Sequence, residues 1–456
     1  MAREIFSSYH FVGIMGSGMS ALAQYLCWSG KAVSGSDRLA FSPEMKEARE
    51  QLERCGCHLF PQDGSGVTSA TEALVISTAI EEDNPDLEAA RRLGIPILHR
   101  SDLLAALCAS HRTIAVCGTS GKSTVAGMIF EILRGCGKDP SLLMGANLIG
   151  LNQEGFLGNA YKGRSTLLVI EADESDGTLI KYEAIKALVL NISQDHKSIS
   201  EILELFQVFA RQTPWVAKNA DDPGLHSIAA AHTFGISECA EFRPDSIDAL
   251  TPAIHFKLQG LPFELSLPGF HNLSNALAAL CVSHSEGCDW AQMAKAIRGF
   301  RGLRRRFEIF RTARGITVID DYAHNPQKMR AAIVTARDFG RRILAIFQPH
   351  GYGPARLLRE EWIRTLSDFL RRGDEVYFLP IYYAGGTVKR DISSEQLAEE
   401  AYRRGIRSHF SRTRDGLITA LERKVTKGDV ILVMGGRDPS LPHLAQKIKD
   451  RFGSLK

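Results

Sequence analysis

The sequence lacks any apolar run approaching the roughly 20 residues that a membrane-spanning helix needs, so insertion into a bilayer is not expected. It also lacks a charge bias: 55 Lys and Arg against 52 Asp and Glu leave +3 over 456 residues. That balance provides neither a basic surface for nucleic acid nor an attraction to anionic lipid. No internal repeat or low-complexity tract occurs, and Met1-Ala-Arg-Glu leads into a strand without a signal-peptide layout. The nine cysteines are an odd number, with Cys27, Cys108, Cys117 and Cys281 in apolar contexts. They read as reduced core thiols of a cytoplasmic protein, not as a disulfide framework. Cys55-Gly-Cys57-His58 resembles half of a metal site, but no second ligand pair follows at zinc spacing. What remains is an ordinary globular composition, 44% hydrophobic and 23% charged. At roughly 100–200 residues per domain, the length suggests about three domains.

The most informative stretch is Thr113-Ile-Ala-Val-Cys-Gly-Thr-Ser-Gly-Lys-Ser-Thr124. An apolar strand (Ile114 to Val116) ends at Gly118, and a helical pattern begins after Lys122. Glycines let backbone N–H groups approach phosphate oxygens, and a helix N-terminus adds partial positive charge. Lys122 would reach the terminal phosphates and the Ser123 hydroxyl would ligate Mg²⁺. The spacing is G-x-x-G-K-S, shorter than the Walker pattern, and taken alone it also suits a plain strand–helix turn.

Upstream, the strand His10 to Ile14 is followed by Gly13-Ile-Met-Gly16-Ser-Gly18, a helix through Trp28, and a second strand ending at Ser36-Asp37. This is the opening of a nucleotide-binding βαβ unit. Its glycine order, G-x-x-G-x-G, is not that of a dinucleotide enzyme, and a phosphate- or nucleotide-bearing ligand at the first helix is favoured over a bare structural turn. Further strands are expected at Ala73 to Ser77 and Ile95 to Leu98. Downstream of the phosphate loop, Ser165 to Ile170 runs into Glu171-Ala-Asp173-Glu-Ser-Asp176. Glu171, the first acid past the strand, stands where a Mg²⁺ ligand is needed, and the later acids read as a solvated loop. Ala187 to Ile192 is another strand, with His196 just beyond it: a second metal ligand or a structural histidine. Residues 219–268 are polar and turn-rich. His271, Asn272 and Asn275 precede the helix expected at Ala276 to Glu286, as capping groups or as amides facing a base. Arg304-Arg305-Arg306 is a short basic run that is either a solvated face or a phosphate contact. A last block places Asp320-Asp321-Tyr322-Ala-His324-Asn325 after a strand and Gln348-Pro-His350 after another. Strands alternating with helices throughout predict an α/β chain with doubly wound parallel sheets.

These motifs, taken in order, resemble those of the Mur ligase family, the ATP-dependent amino-acid ligases of peptidoglycan synthesis. They are the glycine turn with Gly18-Met-Ser20, Ser34-Gly-Ser-Asp37, Ser77-Thr-Ala-Ile80, the phosphate loop, Glu171 to Asp176, Asn191 to His196, His271/Asn275, Arg304 to Phe307, Asp320 to His324 and Phe347 to His350. The resemblance implies three domains: a Rossmann-like one binding a UDP-sugar (1–109), a central P-loop ATPase-type one (110–300), and a C-terminal Rossmann-like one receiving the amino acid (301–456). It implies an ADP-forming ligase that joins an amino acid, most simply L-alanine, to UDP-N-acetylmuramate through an acyl phosphate. Its cofactors would be ATP and Mg²⁺, its partners small molecules only, and its state monomer or homodimer.

By the same resemblance, Gly118, Thr119, Ser120, Gly121, Lys122, Ser123 and Thr124 hold the phosphates. Ser123, Glu171 and His196 hold metal, Asn275 contacts adenine, Arg306 a phosphate and Asp321 the ribose. Lys122, Glu171, His196 and His324 carry the catalysis. Gly16, Gly18, Ser36, Asp37 and Ser77 face the UDP-sugar; Tyr322, His324 and Arg356 lie near the incoming amino acid.

Several positions depart from the family pattern. Ser120 stands where histidine is usual, and Asn325 where a second histidine often follows. Gly351 and Pro354 replace arginines of the loop that recognises alanine, leaving Arg356 and, near the end, Arg437 as cations. A ligase attaching a recycled tripeptide to the same sugar is the close alternative, and a non-catalytic nucleotide-binding paralogue the remote one. A guanine-nucleotide switch is disfavoured because Asn191-Ile-Ser-Gln supplies no N-K-x-D element.

Overall fold

Runs rich in Val, Ile, Leu and Phe, each bounded by glycine or a polar turn, form the strands of this chain, and the amphipathic stretches between them form helices. The structure is a computed structural model and describes residues 6–174, 177–193, 198–383 and 389–453. Internal contacts divide it into two units, residues 1–302 and 303–456.

The first unit opens with β1 (Ser8–Val12), β2 (Ala32–Ser36), β3 (His58–Phe60), β4 (Ala73–Ile76) and β5 (Ile97–His99). They form a parallel sheet of order β3-β2-β1-β4-β5. The chain therefore reverses direction beside β1, where β2 lies on one flank and β4 on the other. Ligands of open α/β sheets bind outside the carboxyl ends of strands at such a switch point. The same unit continues with β6 (Arg112–Cys117), β7 (Ser141–Leu143), β8 (Ala160–Tyr161), β9 (Leu167–Glu171), β10 (Lys186–Val189), β11 (Trp215–Asn219) and β12 (His232–Phe234). Their order is β12-β11-β10-β6-β9-β7-β8, parallel except for the β7–β8 pair. β6 is central, and its residues Ile114 to Cys117 are fully buried, as a two-sided α/β sheet requires.

A buried polar bridge joins the two sheets. Asn159 donates to Ser17 O (2.7 Å) and Ser20 Oγ (2.9 Å), and its Oδ1 accepts from Gln24 Nε2 (2.9 Å). The helix Ser17–Trp28 is thereby held against the second sheet.

The stretch 219–268 is more regular than its polar composition suggests. β13 (Ser246–Ala249), β14 (Ile254–Leu258) and β15 (Leu261–Leu265) form an antiparallel sheet. In β14, Ile254, Phe256 and Leu258 are buried while His255 and Lys257 are exposed, a one-sided strand of period two. The helix expected at Ala276 begins earlier and spans Phe270–Ser285, so His271, Asn272 and Asn275 sit within it.

The second unit has β16 (Glu308–Arg311), β17 (Thr317–Asp321), β18 (Arg342–Gln348), β19 (Glu375–Phe378), β20 (Ser408–Phe410) and β21 (Asp429–Gly435). Their order is β16-β17-β21-β18-β19-β20, parallel apart from β16. Pro326 is the first residue of the helix Pro326–Ala336, and the Asn325 side chain caps it, consistent with proline's preset backbone angle. No described helix is long and apolar enough to cross a membrane.

Candidate active site

The phosphate loop lies at the carboxyl end of β6. Gly118 has φ +139° and Gly121 φ +85°, values that side-chain-bearing residues rarely adopt. A Cβ on Gly121 would meet Asn275 Oδ1 at 2.7 Å, and one on Gly118 would meet Leu190 Cβ at 2.9 Å. The loop is braced from β10's end by Asn191. Its Oδ1 accepts from Ser120 N–H (2.8 Å) and Thr119 Oγ1 (3.0 Å), and its Nδ2 donates to Ser120 O (2.9 Å). Gly121 caps the helix Lys122–Gly135 with no side-chain partner for the first-turn amides, so those N–H groups and the helix dipole are available to an anion.

Around that helix start the charges are organised. Lys122 Nζ donates to Glu174 Oε2 (2.7 Å) and lies 3.4 Å from Asp173 Oδ1. Burial alone would lower the lysine's pKa, but Glu174, Asp173 and Glu171 together hold it above its ordinary value. Burial pushes the Glu174 carboxyl up, against the pull of Lys122. The expectation of a solvated acidic loop past Glu171 is thus corrected at Glu174, which is only 4% exposed. Ser123 Oγ donates to Glu171 Oε2 (2.8 Å), which also accepts from Gly145 N–H (2.7 Å). A hydroxyl and a carboxylate side by side form a hard-oxygen donor pair that suits Mg²⁺, with substrate phosphates and water completing an octahedron. Among the described residues no group of three or more His, Cys, Asp or Glu side chains is arranged to hold a metal. His196 lies outside the described residues. Thr124 is buried in the first turn, and Asn275 Nδ2 donates to Asn272 Oδ1 (3.3 Å).

The glycine turn after β1 sits at the switch point of the first sheet. Gly16 N–H donates to Gly13 O (3.1 Å), and Gly16 precedes the helix Ser17–Trp28 without a side-chain cap. Asp37 accepts from the N–H groups of Met15 (3.2 Å) and Leu39 (2.9 Å), and burial raises its pKa. Ser36 is fully buried and its hydroxyl donates to Asp86, while its carbonyl accepts from the N–H groups of Gly13 (2.8 Å) and Ile14 (3.0 Å) and so holds the turn. Ser77, half-buried beyond β4, accepts from Ala79 N–H (3.4 Å). Arg100 is a residue that sequence reasoning missed: a Cβ on Gly18 would meet its Nη1 at 3.1 Å. No motif spacing marks it, because it comes from a helix that follows β5. A cavity of about 1310 Å³ lined by Phe6, Tyr9, Leu103, Leu107, Ile180 and Pro214 contains none of these site residues.

In the second unit, β17 delivers Asp320 and Asp321, with Tyr322 and His324 just past it. Arg305 donates to the carbonyls of Gly435 and Gly436 (2.8 Å each) and lies 3.5 Å from Asp320. Burial, opposed by Arg305, pushes Asp320 up to about 7. Asp321 Oδ2 accepts from Phe307 N–H (2.7 Å), and its carboxyl is likewise raised by burial. The Arg305 and Arg306 guanidinium groups lie 5.1 and 5.2 Å from the Tyr322 ring centre, within cation–π range. His324 is pushed down to about 3, first by burial and then by Lys328. Its Nδ1 is 2.8 Å from Tyr322 O. A carbonyl only accepts, so Nδ1 carries the proton and Nε2 is the basic nitrogen. His324 O accepts from Trp362 Nε1 (3.0 Å), and the His350 ring stands edge-on at 5.0 Å. Arg356 binds Asp391 and Lys389 O (2.7 Å). Arg437, beyond β21, is exposed.

Comparison with known proteins identifies the family. Domain models match in order: "Mur ligase family, catalytic domain" over residues 8–112, "Mur ligase middle domain" over 116–283 and "Mur ligase, glutamate ligase domain" over 305–437. A UDP-N-acetylmuramate–L-alanine ligase of Gloeobacter violaceus is 36% identical over 456 aligned positions, which cover 96% of this chain and 95% of that protein. The crystal structure of a UDP-N-acetylmuramate–alanine ligase from Thermotoga maritima aligns with TM-score 0.80 at 26% identity, covering 98% of this chain and 99% of that one. A murein peptide ligase from Psychrobacter arcticus shares the fold, with TM-score 0.72 at 20% identity over 99% of this chain and all of that one. With three domain models in sequence and full-length relatives on both measures, the chain belongs to the Mur ligase family.

Proposed function

We propose that this protein is an ADP-forming ligase of peptidoglycan synthesis that joins the amino group of L-alanine to the lactyl carboxylate of UDP-N-acetylmuramate. The observation that carries this reading is the braced phosphate loop, with Lys122 and the Ser123–Glu171 pair at the carboxyl end of the central sheet. Its substrate assignment is supported by the near-full-length relative named for that reaction.

A carboxylate is a poor electrophile. Transfer of the γ-phosphoryl group onto it gives an acyl phosphate, which the amine attacks with release of phosphate. Little covalent work falls to the protein, which aligns the anions and neutralises their charge. The loop amides and Lys122 would bind the β- and γ-phosphates, and Glu174 and Asp173 keep that lysine protonated and positioned. Ser123 and Glu171, with His196, would hold Mg²⁺, which when bound offsets the charge on the transferring phosphoryl oxygens. Asn275, Arg306 and Asp321 are assigned to adenine, phosphate and ribose. Gly16, Gly18, Asp37 and Ser77 are assigned to the UDP-sugar, with Ser36 beneath them. Tyr322 and His324 are assigned to the amine: a neutral imidazole accepts a hydrogen bond from it without repelling an ammonium. Its low basicity makes it an orienting acceptor, not a proton sink.

One observation favours a larger acceptor. Gly351 and Pro354 carry no charge, and Arg356 is already paired with Asp391. The test is phosphate release from ATP by the purified protein with UDP-N-acetylmuramate and a panel of amino acids and murein tripeptide. L-Alanine is expected to support turnover. Turnover with tripeptide alone would reassign the acceptor, and silence with every acceptor would refute the ligase reading.

A further inference from the structure

Away from the nucleotide loops, three thiols from separate turns of chain converge behind the first sheet. Cys27 lies in the last turn of the helix Ser17–Trp28, Cys57 immediately precedes β3, and Cys55 follows the helix Lys46–Arg54. The Cys27 and Cys57 sulfurs are 3.4 Å apart, and both cysteines are free. Cys57 is buried at 3% exposure and Cys27 is half-buried, so Cys27 is the more accessible residue of the pair. Cys55 Sγ instead points at Gln24 Oε1, 3.9 Å away.

We propose that Cys27 and Cys57 are an oxidisable dithiol, a modification site that a hydroperoxide converts to a reversible intrachain disulfide. At 3.4 Å the two sulfurs are in contact, and closing them by a little over about 1 Å reaches the S–S bonding separation of about 2.05 Å. Cys27 is the more accessible of the two, and the thiol–thiol hydrogen bond holds its pKa below the ordinary thiol value against burial, so Cys27 is the attacking thiol. Burial raises Cys55 to about 11, which leaves it the poorer nucleophile.

In the first step the Cys27 thiolate attacks a peroxide oxygen. The O–O bond breaks, giving the Cys27 sulfenic acid and, after protonation, an alcohol or water. Cys57 sulfur then attacks the sulfenic sulfur. The S–S bond forms, the S–O bond breaks, and the Cys57 proton leaves with the hydroxyl as water. Two thiols are oxidised and one peroxide is reduced; an external dithiol reverses the change. The closed loop contains β2 and Asp37, and oxidation ties the entry to β3 to the last turn of the helix that the glycine turn opens.

The test uses the full-length protein treated with hydrogen peroxide, then alkylated and analysed by intact and peptide mass. The alkylation count is expected to fall by two from nine, with a Cys27–Cys57 cross-linked peptide that dithiothreitol removes. Cys57→Ser is expected to stop at a dimedone-trappable sulfenic acid on Cys27, and Cys55→Ser to leave the cross-link unchanged. If a variant misfolds, the wild-type peptide map decides alone. Full alkylation after peroxide, a cross-link between other cysteines, or Cys27 accumulating as sulfinic acid in the wild type would overturn the proposal.

Discussion

The buried histidine past β17, assigned above to the amine, is expected to stay neutral far below the ordinary imidazole range. His324 is held at about 3 against an ordinary value near 6.5, by burial first and then by Lys328, His350 and Arg306. At about 1.4 kcal/mol per pH unit, the gap corresponds to at most ~5 kcal/mol of preference for the neutral ring. Because the folded value lies below the unfolded one, the unfolded chain takes up the extra proton between them. His324 therefore has no effect on stability above about pH 6.5, and it destabilises the fold progressively as pH falls toward 3. Between pH 7 and pH 5 the loss from this residue is about 2 kcal/mol. The direct assay is NMR of ring-labelled histidine, with His324→Gln assigning the resonance. Its shift is expected to stay flat through pH 5. Urea unfolding of the same two proteins checks the energy: wild type should lose about 2 kcal/mol more than the variant between pH 7 and pH 5. A midpoint between 6 and 7 would refute the reasoning. The ring would then be solvated, and the Nδ1 contact with Tyr322 O would not define its environment.

Lys122→Ala is expected to lower phosphate release at least about a hundredfold while calorimetry finds UDP-sugar binding unchanged; near-normal turnover would dismiss the loop assignment. In the second unit, Asp374 accepts both arms of Arg337 and the N–H groups of Ile343 and Arg371. Burial alone would raise its pKa, but Arg337 and those amides hold it below the usual carboxylate range. Arg337→Ala, which strands that carboxylate, is expected to cost about 3 kcal/mol in urea unfolding at pH 7. The penalty should shrink below about pH 4 as Asp374 protonates. A loss under about 0.5 kcal/mol would mean the amides suffice.

Much of this was legible from residue order, and the exceptions have physical causes. Gly118 and Gly121 announce the phosphate loop because no other residue takes their backbone angles cheaply at that spacing. Glu171 announces itself because a strand end fixes its position. Glu174 does not: three residues further on, nothing in the sequence says whether a carboxylate faces water or turns back onto Lys122, and only the folded chain makes that ion pair. The sheet at 246–265 was hidden by its polar outer face, although Ile254, Phe256 and Leu258 carry a readable alternation. Arg100 approaches Gly18 across 82 residues of chain, a distance at which no local pattern operates. Ser36, legible as a strand-end hydroxyl, is buried and bonded to Asp86 because that aspartate enters from the helix Pro85–Leu93 that follows β4.

The grip of Asn191 on Thr119 and Ser120 has a thermodynamic meaning beyond geometry. A glycine-rich turn left to itself samples many backbone states, and a ligand that orders it forfeits part of its binding free energy. Here one carboxamide fixes both faces of the turn from the neighbouring strand, so the chain orders the loop as it folds. Under the proposed function, nucleotide would meet a preset cradle, with its affinity governed by charge and fit and little penalty for taming the backbone.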